Sequence, residues 1–166
     1  MKLWILAFVV SVILVVYSVP TFYDAAIEKR TIKTARIIIK DLIDTRFLCL
    51  STNTEYKVTF ITNERYGYSL HNGDKLLKTV YLDQIDANVV YSSLFKSKDL
   101  IFKPVRDVNT AKTDGYSSIF LNDRTKESKN DFNSVIQIYI NNNSYEIKLY
   151  RAYGVKDNGD LIFKEI

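Results

Sequence analysis

The sequence predicts an α+β protein with one long, bent N-terminal helix packed on an antiparallel two-sheet β domain. Three observations predict it. Residues 3–19 form an uncharged, apolar run. Residues 21–50 contain no glycine or proline and repeat apolar side chains at helical spacing. Beyond residue 51 the period changes to alternation, in eight or nine short segments separated by turn residues. Composition agrees. Twelve tyrosines and only five glycines lean toward β structure, and 47% hydrophobic residues argue against disorder.

The first element is the apolar run. Its 17 residues would span roughly 25 Å as a helix, near the short limit for crossing a bilayer. Two readings stand. In one, Lys2 is the n-region of a signal peptide, residues 3–17 are its h-region, and Val16, Tyr17 and Ser18 form a passable cleavage site. In the other, the helix is retained and bends at Pro20. The helical pattern continues past the proline to about Leu50, and a cleaved signal would be followed by a break. This favours a retained rod of about 45 residues. The charge bias is awkward for a spanning helix, because Lys29, Arg30, Lys33, Arg36 and Lys40 follow the run and only Lys2 precedes it.

The second element is amphipathic. Ile32, Ala35, Ile39, Leu42, Ile43, Phe47 and Leu50 fall on one stripe, expected to lie on the folded domain. The basic residues from 29 to 40 read as a solvated face, or as contacts to anionic headgroups or to acidic faces of neighbouring subunits. The chain thus divides into a half-helix at 1–20, an amphipathic half-helix at 21–50 and a β domain at 51–166.

The strands follow. "YKVTFIT" and "RYGYSLH" read as a hairpin, and "HNGD" carries Asn72-Gly73, a strong hairpin turn, into "KLLKTVYL". "ANVVYSSL", "DLIFKPV", "YSSIFLN", "SVIQIYIN", "SYEIKLYRAY" and "DLIFKEI" complete the set. Turn clusters at 107–115, 122–131, 141–144 and 156–160 separate them.

Chemistry is sparse. There is no glycine-rich phosphate loop, H-E-x-x-H or C-x-x-C motif. His71 and Cys49 are each the only residue of their kind. Cys49, beside Phe47, Leu48 and Leu50, reads as buried rather than nucleophilic. "DVNTAKTDG" and "KDNGD" fit no known calcium loop and read as turns. Lys148, Arg151 and Lys156, interleaved with Tyr145, Tyr150 and Tyr153, offer stacking and phosphate contacts in principle. Alternating tyrosines in a strand read first as packing residues, so nucleic-acid binding is not expected. No enzyme activity, cofactor or metal is expected.

An apolar-then-amphipathic helix followed only by short strands resembles the type IV pilin-like subunits. In detail it resembles the minor pseudopilins of the GspH/FimT type (general secretion pathway protein H-like). The match runs over "VPTFYDAAIEKRTIKTARIIIKDLIDTRFLCLSTNTEYKVTFITNERYGY", with Pro20 ending the apolar half, Asp41-Leu42 near the helix end and Arg46 after it. The family's basic leader, glycine cut site and Phe-Thr-Leu-Ile-Glu run are missing. By its spacing the glutamate would fall near Leu3, and no acid precedes Asp24. Either the true start lies upstream of Met1, or processing and the glutamate have been lost.

The resemblance implies a structural subunit of a type II secretion pseudopilus or type IV pilus. It implies a single-pass inner-membrane location with the C-terminal domain in the periplasm, and a filament after assembly. Its partners would be other pilin or pseudopilin subunits through the N-terminal helix, the inner-membrane assembly platform and the lipid bilayer. Leu3, Trp4, Ser11, Tyr17 and Pro20 would serve assembly, and Lys29, Arg30, Lys33, Arg36 and Lys40 would touch subunits or lipid. The alternative is a secreted or membrane-anchored β-sandwich binding module whose signal peptide is cleaved near Ser18.

Overall fold

In the computed structural model, the residues described are 2–93, 99–104, 116–127, 135–141 and 146–166. One helix, α1, runs over Lys2–Thr52. It continues through position 20 without a break in assignment, so the two expected half-helices form one element of 51 residues. Asn53 ends it with φ +51°, the left-handed conformation common just past a helix. The hydroxyls of Ser51 and Thr52 both donate to the Leu48 carbonyl, at 3.1 and 2.8 Å, capping part of the last turn.

Nine strands follow: β1 Tyr56–Ile61, β2 Gly67–Asn72, β3 Lys75–Tyr81, β4 Val89–Ser93, β5 Asp99–Phe102, β6 Tyr116–Asp123, β7 Ile136–Asn141, β8 Ile147–Val155 and β9 Leu161–Glu165. They form two antiparallel sheets, ordered β3-β2-β1-β5 and β4-β6-β7-β8-β9. Each of the nine expected segments overlaps one of them, with β2, β6 and β8 running one or two residues further. Two single-turn helices were not expected: α2 at Leu82–Ile85 and α3 at Arg124–Glu127.

The β2–β3 hairpin forms where the sequence placed it, but its turn is shifted by one residue. Asn72 pairs with Lys75, so the two turn residues are Gly73 and Asp74. Gly73 has φ +57°, as a hairpin turn with glycine at its first central position requires.

The core lies between α1 and the two sheets. Ala35, Ile38, Leu42 and Cys49 of the helix pack with Val58, Phe60, Tyr68 and Phe102 of one sheet and Ile119, Leu121, Ile136 and Ile138 of the other. The strands alternate as expected, most clearly in β1 and β7.

The helix stripe differs from expectation. The buried positions are Ile27, Thr31, Thr34, Ala35, Ile38, Leu42, Thr45 and Cys49. Ile32 and Ile39 are only partly buried against the core, while Ile43, Phe47 and Leu50 are exposed. The physical reason is the threonines. Thr31 and Thr45 donate their hydroxyls to the carbonyls of Ile27 and Asp41, at 3.1 and 2.6 Å. A hydroxyl satisfied by its own helix can enter the core at low cost, so the buried face need not be the most apolar one.

Candidate functional site

Among the described residues, three charged side chains of α1, Glu28, Arg30 and Asp41, tie its second half to the β domain. Glu28 accepts from the Arg151 guanidinium on β8 at 2.6 Å. Arg30 donates to Asp123 Oδ2 at 3.4 Å and lies 3.9 Å from Asp86 Oδ2. Asp41 accepts from the Tyr68 hydroxyl at 2.6 Å and from Lys78 Nζ at 2.7 Å. The ties therefore reach β8 and the end of β6 in one sheet, and β2 and β3 in the other.

Asp123 is the most enclosed of the carboxylates, its side chain 0% exposed. Its Oδ1 accepts from the Thr125 backbone N–H and hydroxyl, capping α3, which leaves Oδ2 for Arg30. Burial, and then the hydrogen bond to Asp41, push the Tyr68 phenol well above the ordinary tyrosine range. Burial does the same at Tyr91, whose hydroxyl donates to the Gly67 carbonyl at 3.2 Å.

The single thiol and the single imidazole stand in structural roles. Cys49 Sγ lies 3.2 Å from the Phe102 carbonyl, and burial raises its pKa, which works against thiolate chemistry. His71 Nε2 is 2.9 Å from the Ser69 hydroxyl, at the end of β2. Among the described residues no three His, Cys, Asp or Glu side chains are grouped as a metal would need. In the turn at 156–160, Asn158 and Asp160 bond to each other and Gly159 takes φ +87°.

Three of the basic and tyrosine residues of β8 are engaged, while Tyr153, and Lys156 just beyond the strand, are exposed. Arg151 is held by Glu28, and Lys148 pairs with Glu146 and Glu165 at 3.3 and 3.6 Å. Tyr150 meets Tyr139 edge-on, with ring centres 6.0 Å apart. Tyr145 lies outside the described residues, as do the turn cluster 107–115 and residues 128–131 of the cluster 122–131.

What remains is α1 itself. The first buried helix residue among those described is Ile27. Before it, Trp4 is 82% exposed and Phe8 69%, and Val9, Val10, Val12, Ile13, Phe22 and Tyr23 are also exposed. Ser11 donates its hydroxyl back to the Phe8 carbonyl at 2.8 Å. Leu3, Tyr17 and Pro20 lie within the helix, and their side chains are outside the described set.

Of the five basic residues singled out in the sequence, four share the outer surface. Lys29, Lys33, Arg36 and Lys40 are exposed. Arg30 instead turns to Asp123 and Asp86. Sequence reasoning missed the apolar residues beyond the basic row: Ile43, Phe47, Leu48 and Leu50, which it set against the core or left unassigned. Helical spacing could have flagged them, since a helix this long carries more than one apolar stripe.

Among the described residues, no helix is long and apolar enough to cross a membrane. This corrects the expectation of a single-pass inner-membrane protein. The physical reason is length: an uncharged run of 17 residues reaches roughly 25 Å, against a hydrocarbon core of about 30 Å.

The chain matches no family model, no curated protein and no solved structure.

Proposed function

We propose that the protein is a non-enzymatic structural subunit that assembles with other subunits through its N-terminal helix, in the manner of minor pilins and pseudopilins. The observation that carries this reading is the exposed apolar half of α1. Trp4, Phe8, Val9, Val10, Val12 and Ile13 stand in solvent on an element that enters the core only at Ile27. Contiguous exposed apolar surface of this extent marks an interaction site. The core is closed by the two sheets and by α1 residues from Ala35 to Cys49, and among the described residues the apolar half contributes none to it. A bend at Pro20 would set the direction of that half relative to the domain. The resemblance over residues 19–68 points the same way.

The test is the assembly state of the full chain, read by size-exclusion chromatography with light scattering. The wild-type chain is expected to form multi-subunit particles. Phe8→Asp with Val12→Asp is expected to give monomers with an unchanged circular-dichroism spectrum. A monomeric wild type, or particles of the same mass from the double variant, overturns the reading.

A further inference from the structure

The outer surface of α1 contains a second seam as regular as the buried one. Phe22, Ala26, Lys29, Lys33, Arg36, Lys40, Ile43, Phe47 and Leu50 follow one another at alternating intervals of four and three residues. All nine are exposed. The buried series Thr31, Ala35, Ile38, Leu42, Thr45 and Cys49 has the same rhythm on the opposite side. At 3.6 residues per turn the two rows lie about half a turn apart. Alternating four and three keeps these residues on one helix face, and it is also the a/d spacing by which such a face can pair with another helix.

This seam is apolar at both ends and basic in the middle. Lys29, Lys33, Arg36 and Lys40 cover about 17 Å of helix and have no ion-pair partner among the described residues. Of the helix acids near this row, Glu28 and Asp41 are turned to the β domain and held there, while Asp44, one turn beyond Lys40, is exposed beside the seam. The four central positions of the seam are nevertheless all basic.

The arrangement excludes a second copy of the same seam. Paired in register, parallel or antiparallel, the basic centres of two copies would face each other. Shifted by two heptads, the cations of one copy would lie on Ile43, Phe47 and Leu50 of the other and be buried without partners, which is costly. We propose that the outward seam of α1 docks a helix of a different protein, acidic at its central a/d positions and apolar at its ends. A phosphate backbone would satisfy the four cations but not the flanking Phe22, Ile43, Phe47 and Leu50. This deepens the assembly reading and rests on it for the helix being an assembly element, but it uses residues 22–50 rather than the apolar half.

The probe is a synthetic, fluorescein-labelled helical peptide as long as the seam. It carries leucine at the a/d positions of its ends and glutamate at the four central ones. Fluorescence anisotropy with the full chain is expected to show saturable binding. Lys33→Glu with Arg36→Glu is expected to weaken it about tenfold, the value of two partly exposed ion pairs. A peptide with lysine at two of its central positions is expected to restore binding to that variant. Both substitutions are exposed and opposite the core, and the restored pair reports on the variant's fold. Equal binding by wild type and variant, absence of restoration, or tighter binding of duplex DNA or phosphatidylglycerol vesicles than of the peptide overturns the proposal. Failure of the assembly reading shows separately, as Phe8→Asp/Val12→Asp particles unchanged in mass while peptide binding persists.

Discussion

The Tyr68 hydroxyl and Lys78 share one carboxylate, that of Asp41, and so join α1 to β2 and β3. Tyr68→Phe removes one of these bonds and leaves Asp41 with its lysine. The expected loss is about 1.5–3 kcal/mol in urea denaturation at neutral pH, the range for a single hydrogen bond to a charged group. The phenol also predicts a pH dependence. The native pKa values of Tyr68 and Tyr91 are raised. Below pH about 10, both the native and unfolded states hold these protons, and stability is fully present. Above it the unfolded chain ionises while the two native phenols do not, so stability falls as pH rises, by about 1.4 kcal/mol per unit for each. Urea titrations between pH 9 and 11 are expected to show this decline, and Tyr68→Phe/Tyr91→Phe is expected to flatten it. Asp123 makes a different case, because its two oxygens serve two elements. Asp123→Asn keeps an oxygen for the α3 cap and loses the charge facing Arg30. A loss of about 1–3 kcal/mol is expected, again from urea denaturation.

Elements respond according to which face a residue occupies, and α1 gives the sharpest contrast. Ile38 is fully buried and Phe47 is 70% exposed, nine positions apart on one helix. Ile38→Ala is expected to cost about 2–5 kcal/mol, and Phe47→Ala to stay within about 0.5 kcal/mol, measured by thermal or urea unfolding. The apolar pattern alone could not tell these two apart. It placed Phe47 in the core stripe and passed over Thr31 and Thr45, because hydropathy does not register a hydroxyl returned to its own backbone. The strands were legible because alternation leaves one face buried, as Val58 and Phe60 do in β1. The hairpin was legible from Gly73, but its register was not, since Asn72-Gly73 and Gly73-Asp74 are both plausible turn pairs until the pairing of Asn72 with Lys75 decides. The ties of Glu28, Arg30 and Asp41 were not legible, because their partners lie 27 to 123 residues away. The glycines of the sheets also separate by environment. A Cβ at Gly67 would sit 2.4 Å from the Val80 carbonyl oxygen, whereas at Gly154 its nearest neighbour would be Ile162 at 3.5 Å. Gly67→Ala is expected to destabilise by about 2–3 kcal/mol through a forced backbone shift. Gly154→Ala is expected to be near neutral, and comparing their melting temperatures checks both.

At the scale of the whole molecule, the β domain takes one side of α1 and leaves the other exposed, so under the proposed assembly reading the side chains on that side decide what the helix joins. In the proposed pairing, the basic centre of the outward seam would keep identical copies apart there, while its apolar ends would meet a complementary helix. Natural helices use such polar seam positions to reject wrong partners at some cost in affinity. If the four cations have this role, removing them creates an association the native chain lacks. Substituting Leu for Lys29, Lys33, Arg36 and Lys40 makes the seam apolar from Phe22 to Leu50, four heptads in all. Such a seam is long enough for a stable two-helix coiled coil. A readout confined to the seam separates this pairing from association through the apolar half. Phe47→Cys supplies one, because position 47 is exposed and the native thiol of Cys49 is buried. Under mild oxidation, the Phe47→Cys chain with its native cations is expected to stay largely uncrosslinked, and the four-leucine version to run as a disulfide-linked dimer. High salt, which screens repulsion between exposed cations, is expected to raise crosslinking in the first and leave the second unchanged. Equal crosslinking of the two chains at low salt would show that the basic row does not govern self-pairing.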